Sequence, residues 1–294
     1  MSRQIKADIL LLIITVIWGS SFALMKNVLE HIPSFAYLSL RFIIAAAVLS
    51  LVFMRKFRLV NRKALIYGFI LGFMLFCGMA LQVTGLYYTT ASNSAFITGL
   101  NVMMVPVISA VFLRKKPDLN STAGVILAFL GLFFLSGGLD SRLNIGDLLT
   151  LLCAVCFALQ IIFIDKFTGD QDAALLAVLQ VGFAAVLYSF VWIGVDFTPV
   201  RFNPTVVITL IITGVLGTAL AYAGQTIVQR FTSPTRTALI FTAEPVFGAV
   251  FALIIPNSLG ITETLQQNTI VGCILILSGM LVSEVKPMGR KSGI

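Results

Sequence analysis

The chain has 294 residues, 59% of them hydrophobic and only 11% charged, with a mean hydropathy of +1.02. Soluble domains carry about 25% charged residues, so this composition excludes a soluble globule and indicates an all-α integral membrane protein. The formal charge of +8 is spread over short basic clusters between apolar runs, which is how loops on a cytoplasmic face look and not how a nucleic-acid-binding surface looks.

Taken in order, Arg3 and Lys6 precede an apolar run that continues through Trp18 with no small-residue cleavage site, so it reads as a retained first helix and not a signal peptide. Ten spans are predicted, roughly 8–27, 34–54, 65–88, 91–113, 121–138, 146–166, 173–194, 206–228, 235–255 and 267–284. Each is near the ~20 residues needed to cross a bilayer. Connections are short and leave no room for a soluble domain. Basic residues gather in alternate loops: Arg3 and Lys6, then Arg55 to Lys63, Arg114 to Lys116, Lys166, Arg230, and Lys286 to Lys291. The opposite loops hold Arg142 and Arg201 with Glu30, Asp140, Asp196 and Glu263, which places both termini in the cytoplasm.

The chain repeats itself. At an offset of 143, Thr89 falls on Thr232, Ala95 on Ala238, Ile97 on Ile240 and Asn101 on Glu244, with Gln82 on Gln225 upstream. At an offset of 139, Asp8 falls on Asp147, Trp18 on Phe157, Ser21 on Gln160 and Arg41 on Gln180, and at 148 Gly124 falls on Gly272 and Gly131 on Gly279. The boundaries predicted are 1–140 for the first five-helix repeat, 141–286 for the second and 287–294 for a cytoplasmic tail. Five is odd, so the second repeat enters the membrane upside down: ten transmembrane helices as two inverted five-helix repeats, with a substrate site near the midplane between them. The glycines of Gly68-Phe-Ile-Leu-Gly72, with Gly124, Gly131, Gly272 and Gly279, are spaced for close helix contact. Cys77, Cys153, Cys156 and Cys273 lie within apolar runs and read as small buried hydrophobes. One histidine, His31, in a loop, leaves no multi-histidine metal site.

Polar residues inside the spans are the candidates for chemistry. Glu244 precedes Pro245 in an apolar run, and a carboxylate at such depth costs on the order of 2.5 kcal/mol or more unless it faces protein or water. Proline there removes a backbone donor, and Pro106 also lies within a span where it can kink the helix. Arg41 lies roughly 10 Å in from one membrane face and Glu244 roughly 14 Å in from the other, a difference of about 6 Å in a ~30 Å core that two long side chains can bridge. Three readings stay open for that pair: an ion pair closing the bundle, a gate that opens and re-forms during transport, and direct substrate contact. Trp18 and Ser21 with Phe157 and Gln160 form a second symmetric set, and Gln82 and Gln225, with Tyr222 one turn before the latter, a third. Amides and hydroxyls facing a cavity hold small polar solutes and aromatic faces hold cations or rings, while the competing role of each is helix-to-helix packing. The candidate binding or gating residues are therefore Trp18, Ser21, Arg41, Gln82, Asn101, Gln160, Gln180, Tyr222, Gln225 and Glu244. Lys26 reads as a snorkelling side chain and Arg236 as a cytoplasmic anchor.

Trp18-Gly-Ser-Ser-Phe-Ala-Leu-Met-Lys26, the Arg41-Phe42 pair, Thr90-Ala-Ser-Asn-Ser-Ala-Phe-Ile97 and Thr235-Arg-Thr-Ala-Leu-Ile-Phe-Thr-Ala-Glu-Pro-Val246 resemble the EamA-type members of the drug/metabolite transporter superfamily over nearly the whole chain. The resemblance implies a bacterial inner-membrane carrier of ten helices, with a central cavity between halves, that commonly exports amino acids, related metabolites or toxic compounds. Gln180 and Asn101 depart from it by leaving the second arginine and the first glutamate positions uncharged.

The expected function is export of a small polar metabolite by alternating access. No phosphate-binding glycine loop is present, so neither ATP drive nor any cofactor is expected. The alternatives are a structural or receptor-like membrane protein and an intramembrane enzyme, for which no Gly-x-Ser-x-Gly or His-Glu-x-x-His motif is present. The expected partners are the bilayer and a small-molecule substrate; proton coupling through Glu244 and homodimerisation are left open.

Overall fold

A computed structural model of the chain describes residues 2–29, 31–89, 91–112, 114, 118–136, 144–195, 197, 199–254 and 266–284. The tail, Glu30, Lys115, Lys116, Asp140, Arg142, Asp196, Glu263 and Lys286 lie outside them, and of Lys26 only the helical backbone is described.

The described residues form helices joined by short turns: α1 (Arg3–Leu29), α2 (Ser34–Val52), α3 (Arg62–Leu86), α4 (Ala91–Gly99), α5 (Asn101–Phe112), α6 (Leu119–Leu135), α7 (Ile145–Phe167), α8 (Ala173–Gly194), α9 (Pro204–Gly214), α10 (Ala221–Val228), α11 (Pro234–Phe241), α12 (Glu244–Ala252) and α13 (Gln267–Glu284). By length and composition six stretches are apolar enough to cross a membrane: 3–21, 34–52, 62–85, 145–167, 173–194 and 204–231. Shorter apolar helices cover 96–112, 119–135 and 267–283. These stretches fit a multi-pass membrane protein.

The starts are set by local chemistry. Asn61, Asp118, Asn144, Asp172, Asn203 and Ser233 each accept a hydrogen bond from a first-turn amide of the helix that follows. Pro204 and Pro234 then open α9 and α11, where a missing N–H costs nothing. Asp172 also pairs with Lys56 at 2.7 Å, beside an Asn61–Gln171 hydrogen bond of 3.0 Å, tying the turn after α2 to the start of α8. Partial burial pushes the Asp172 carboxyl up, but the Lys56 ammonium and the Leu175 amide outweigh it, and its pKa lies below the ordinary value. A depressed carboxylate contributes stability that is present above its unfolded pKa and lost as pH falls through the folded one. Asp172→Ala is therefore expected to cost about 1 kcal/mol at neutral pH, and acidification below about pH 4 should destabilise the wild type more than the variant. Thermal unfolding at the two pH values checks this.

Pro106 stays inside an unbroken α5. The interruption falls before it, at Leu100, whose carbonyl accepts from the Met103 and Met104 amides. The second half breaks at the matching place: α11 closes with the Thr242 amide on the Ala238 and Leu239 carbonyls, and α12 opens at Glu244-Pro245. Asn101 and Glu244, counterparts in sequence, are thus each the first residue after a break.

Contacts between elements also exchange between halves. α3 packs on α7 and α8, while the α9–α10 stretch packs on α1 and α2; α4 and α5 pack on α7, while α11 and α12 pack on α1. α2 meets its own counterpart α8, and α6 meets α13. At the last contact the glycines are indispensable. A Cβ at Gly124 would lie 2.5 Å from the Gly279 carbonyl oxygen and one at Gly279 2.6 Å from that of Gly124; Gly131 and Gly272 stand in the same relation at 2.7 and 2.6 Å. The crossed pairing makes α6 and α13 antiparallel at backbone contact.

Two apolar cores result. One is built from α2, α3, α8 and the α9–α10 stretch around Tyr37, Phe42, Leu75, Tyr188 and Tyr222. The other draws on α1, α4 to α7 and α11 to α13 around Leu11, Val102, Leu132, Ile162, Leu239 and Ile276. Trp18 packs against both.

Candidate functional site

The seam between the two cores collects most of the polar residues singled out in the sequence. Between α9 and α10, residues Val215–Leu220 form a turn of π-helix, a wider winding that is rare and concentrates at functional sites. The widening is visible in its backbone, where the Ala221 amide donates to the Leu216 carbonyl five residues back; within the turn the Thr218 hydroxyl donates to the Thr213 carbonyl at 3.0 Å.

This turn is the dock for Arg41. The guanidinium donates from Nε to Thr218 Oγ1 at 2.6 Å, from Nη2 to the Gly217 carbonyl at 3.2 Å and from Nη1 to the Tyr37 hydroxyl at 3.5 Å, and the residue is 4% exposed. Tyr37 is fixed in turn by donating to Thr213 Oγ1 at 3.0 Å. Three of the five guanidinium N–H donors of this buried cation are thus directed at neutral protein oxygens, one from each nitrogen, and none of those oxygens belongs to a carboxylate. The same Gly217 carbonyl accepts from the indole Nε1 of Trp18 at 2.9 Å, so one π-turn oxygen holds side chains from α1 and α2 together.

Around Trp18, ring centroids lie 5.4 Å from Tyr222 and 5.0 Å from Phe241, both tilted or edge-on. Such contacts are worth about 1 kcal/mol each beyond the area they bury. Ser21, one turn on, is buried and bonded to the Ile17 carbonyl.

Glu244 approaches from the other core. It lies within electrostatic range of Arg41, Tyr222 and Cys153, yet makes no hydrogen bond or ion pair with any described residue. The Arg41–Glu244 ion pair that the sequence left open is not formed in this structure, where the arginine bonds to the π turn and Tyr37 instead. Glu244 and Asn101 are both half-buried, as is Gln82, whose amide nitrogen is 3.4 Å from the Thr98 hydroxyl.

The remaining glutamines bond to one another. Gln160 donates to Gln180 at 3.3 Å, Gln180 to the Thr226 hydroxyl at 2.6 Å, and Gln225 to Gln229 at 3.4 Å, with Gln229 reaching the Ile161 carbonyl at 2.5 Å. All four are at most 3% exposed. In the present geometry Gln160 and Gln180 serve helix-to-helix bonding, while Gln225 Oε1 is buried with no partner among the described residues. Sequence reasoning missed Thr218, Gly217, Tyr37, Thr226 and Gln229. It also took Arg236 for an anchor, whereas its guanidinium reaches Asp8 at 3.1 Å, tying α11 to α1.

Comparisons with known proteins agree with this architecture. The model of the EamA-like transporter family matches residues 5–137 and again 144–284. An uncharacterized transporter of Archaeoglobus fulgidus is 32% identical over 284 residues, covering 97% of this chain and 87% of its own. A probable amino-acid metabolite efflux pump of Salmonella typhimurium is 25% identical with both chains fully covered. A solved crystal structure at 16% identity superposes with a TM-score of 0.81 over 95% of this chain and 98% of its own, a likeness of fold. With both halves matched separately and relatives aligned over almost their full length, the chain belongs to the EamA-like transporter family.

Proposed function

We propose that the chain is a secondary transporter of the bacterial inner membrane, exporting small polar metabolites such as amino acids or related compounds. It would work by alternating access between two inverted five-span repeats, with both termini cytoplasmic. The observation that carries the reading is a pair of opposite charges, Arg41 and Glu244, on elements that pack into the two different apolar cores, near enough to feel each other but with no ion pair between them. Charges at such depth are expensive and mark a pathway. Support for the inverted arrangement comes from the antiparallel α6 and α13, the matched breaks before Asn101 and Glu244, and the exchange of contacts between halves. The Salmonella relative supports amino-acid compounds as the first solutes to try.

Counterflow in proteoliposomes against a panel of amino acids, amines and sugars tests the reading. Exchange of at least one labelled solute, saturable and absent from empty vesicles, is the expected result. No flux across the panel would favour the structural or receptor-like alternative. Coupling to protons, if present, would run through Glu244. A response to an imposed pH gradient that vanishes in Glu244→Gln while downhill exchange persists assigns the role, and a response that survives unchanged removes it.

A further inference from the structure

The two buried charges of the seam are held unequally. Arg41 stands on its own core: Thr218, Gly217 and Tyr37 occupy its nitrogens, and Thr218 and Tyr37 are themselves pinned by bonds to Thr213. Glu244 stands on the other core, half-buried and without a hydrogen-bond donor among the described residues. The group left for a ligand is therefore the negative one. An aromatic wall lies close to it in the chain and in space. Phe241 is three residues before Glu244, Trp18 packs on Phe241 and Tyr222, and the Trp18 ring cannot swing freely because its Nε1 is bonded to Gly217. Gly19, next to Trp18, has no side chain because a Cβ there would sit 2.8 Å from the Glu244 carbonyl oxygen, so α1 and its tryptophan are pressed directly onto this turn.

A carboxylate flanked by aromatic faces is complementary to an organic ammonium, which gains a charge-assisted hydrogen bond and attraction to the ring quadrupoles. It is a poorer match for an anion, because three of the five Arg41 N–H donors are already directed at Thr218, Gly217 and Tyr37, which hold the guanidinium on the π turn. Resting on the transporter reading above, we propose that the site selects its solute by a protonated amino group held at Glu244 between Trp18, Tyr222 and Phe241. A substrate carboxylate is not read by Arg41, whose task is positional: docked on the π turn, it stays off Glu244. The substrate class is amines and amino compounds with an apolar or aromatic body, and a free carboxylate is dispensable.

Purified protein carrying Trp192→Phe leaves Trp18 as the sole tryptophan, so its fluorescence reports binding at the site. Three probes of one skeleton separate the charges: 2-phenylethylamine, L-phenylalanine and 3-phenylpropanoate. The amine and the amino acid are expected to bind, the amine at least as tightly, and the deaminated acid about tenfold or more weaker. Glu244→Gln should weaken the amine by about tenfold, and Glu244→Asp, which keeps the charge, should retain part of the affinity even if the amide variant folds poorly. Thr218→Val removes an acceptor from Arg41 and frees it toward Glu244, which should weaken amine binding without improving the acid. Propanoate binding as tight as the amine, no amine binding at all, or amine affinity unchanged in Glu244→Gln would overturn the proposal. Counterflow of carboxylic acids but not amines would remove this inference and leave transport standing, whereas no flux of any solute would remove transport itself.

Discussion

Gly131→Val should leave little folded protein. The new Cβ would stand 2.7 Å from the carbonyl oxygen of Gly272 and 2.8 Å from the Ile276 amide nitrogen, both backbone atoms that no rotamer change can move. Relief requires α6 and α13 to separate along a contact that Gly124 and Gly279 close at its other end in the same way. Overpacking of this kind costs about 3 kcal/mol, a large share of the stability of an ordinary domain. Gly182→Ala is the control, because nothing lies within 4 Å of a Cβ at that position. Monodispersity and thermal unfolding in detergent check the pair. Equal melting temperatures would mean that the antiparallel glycine contact does not hold the halves together.

Arg41→Ala is expected to be nearly as damaging, by a different route. It strips a charged donor from Thr218, Gly217 and Tyr37 inside a buried seam. Hydrogen bonds to a charged group are worth about 1.5–3 kcal/mol, so a loss of about 3 kcal/mol follows, together with exposure of Glu244 to a site that no longer holds a cation. Arg41→Lys keeps the charge but not the planar fork, and a single ammonium cannot reach acceptors arranged around three nitrogens. It should recover less than half of the loss. A lysine variant as stable as the wild type would show that charge alone matters there and that the π turn is not a dock.

Much of the fold could be read from the residues, because twenty-residue apolar runs bounded by Asn, Asp, Ser and Pro have few other solutions. α2, α7 and α8 begin within a residue of where hydropathy places them. The helix breaks were half legible. Pro245 marks one, but Pro106 points to the wrong place in its counterpart: proline is tolerated inside α5, and the chain turns instead at Leu100, after Gly99, where a side chain would strike Leu132 at 2.6 Å. The depth argument brought Arg41 and Glu244 to within about 6 Å of the same level, and in the structure the two feel each other's charge without an ion pair. What it could not supply was the π turn. Its widening is a matter of backbone bonding five residues apart, which no residue type in the run announces, and its acceptors lie 176 and 177 residues from Arg41 and carry no charge. Nothing in a pattern of charges signals a neutral dock. The glutamines are ambiguous for a related reason, since an amide inside a span satisfies a neighbouring amide as readily as a ligand, and Gln160 and Gln180 bond to each other in this geometry.

The claim that everything else rests on is that the two halves cross the membrane in opposite senses. Arg58 and Phe197 are counterparts at the offset of 139 and both are exposed in turns that follow counterpart helices, α2 and α8. In a background with Cys77, Cys153, Cys156 and Cys273 replaced by serine, single cysteines at these two positions can be labelled with a membrane-impermeant maleimide in intact cells and in inverted vesicles. Opposite halves predict that Phe197→Cys reacts only from outside the cell and Arg58→Cys only from the cytoplasmic face. Reaction of both from the same face would contradict the inverted arrangement and the shared site built on it.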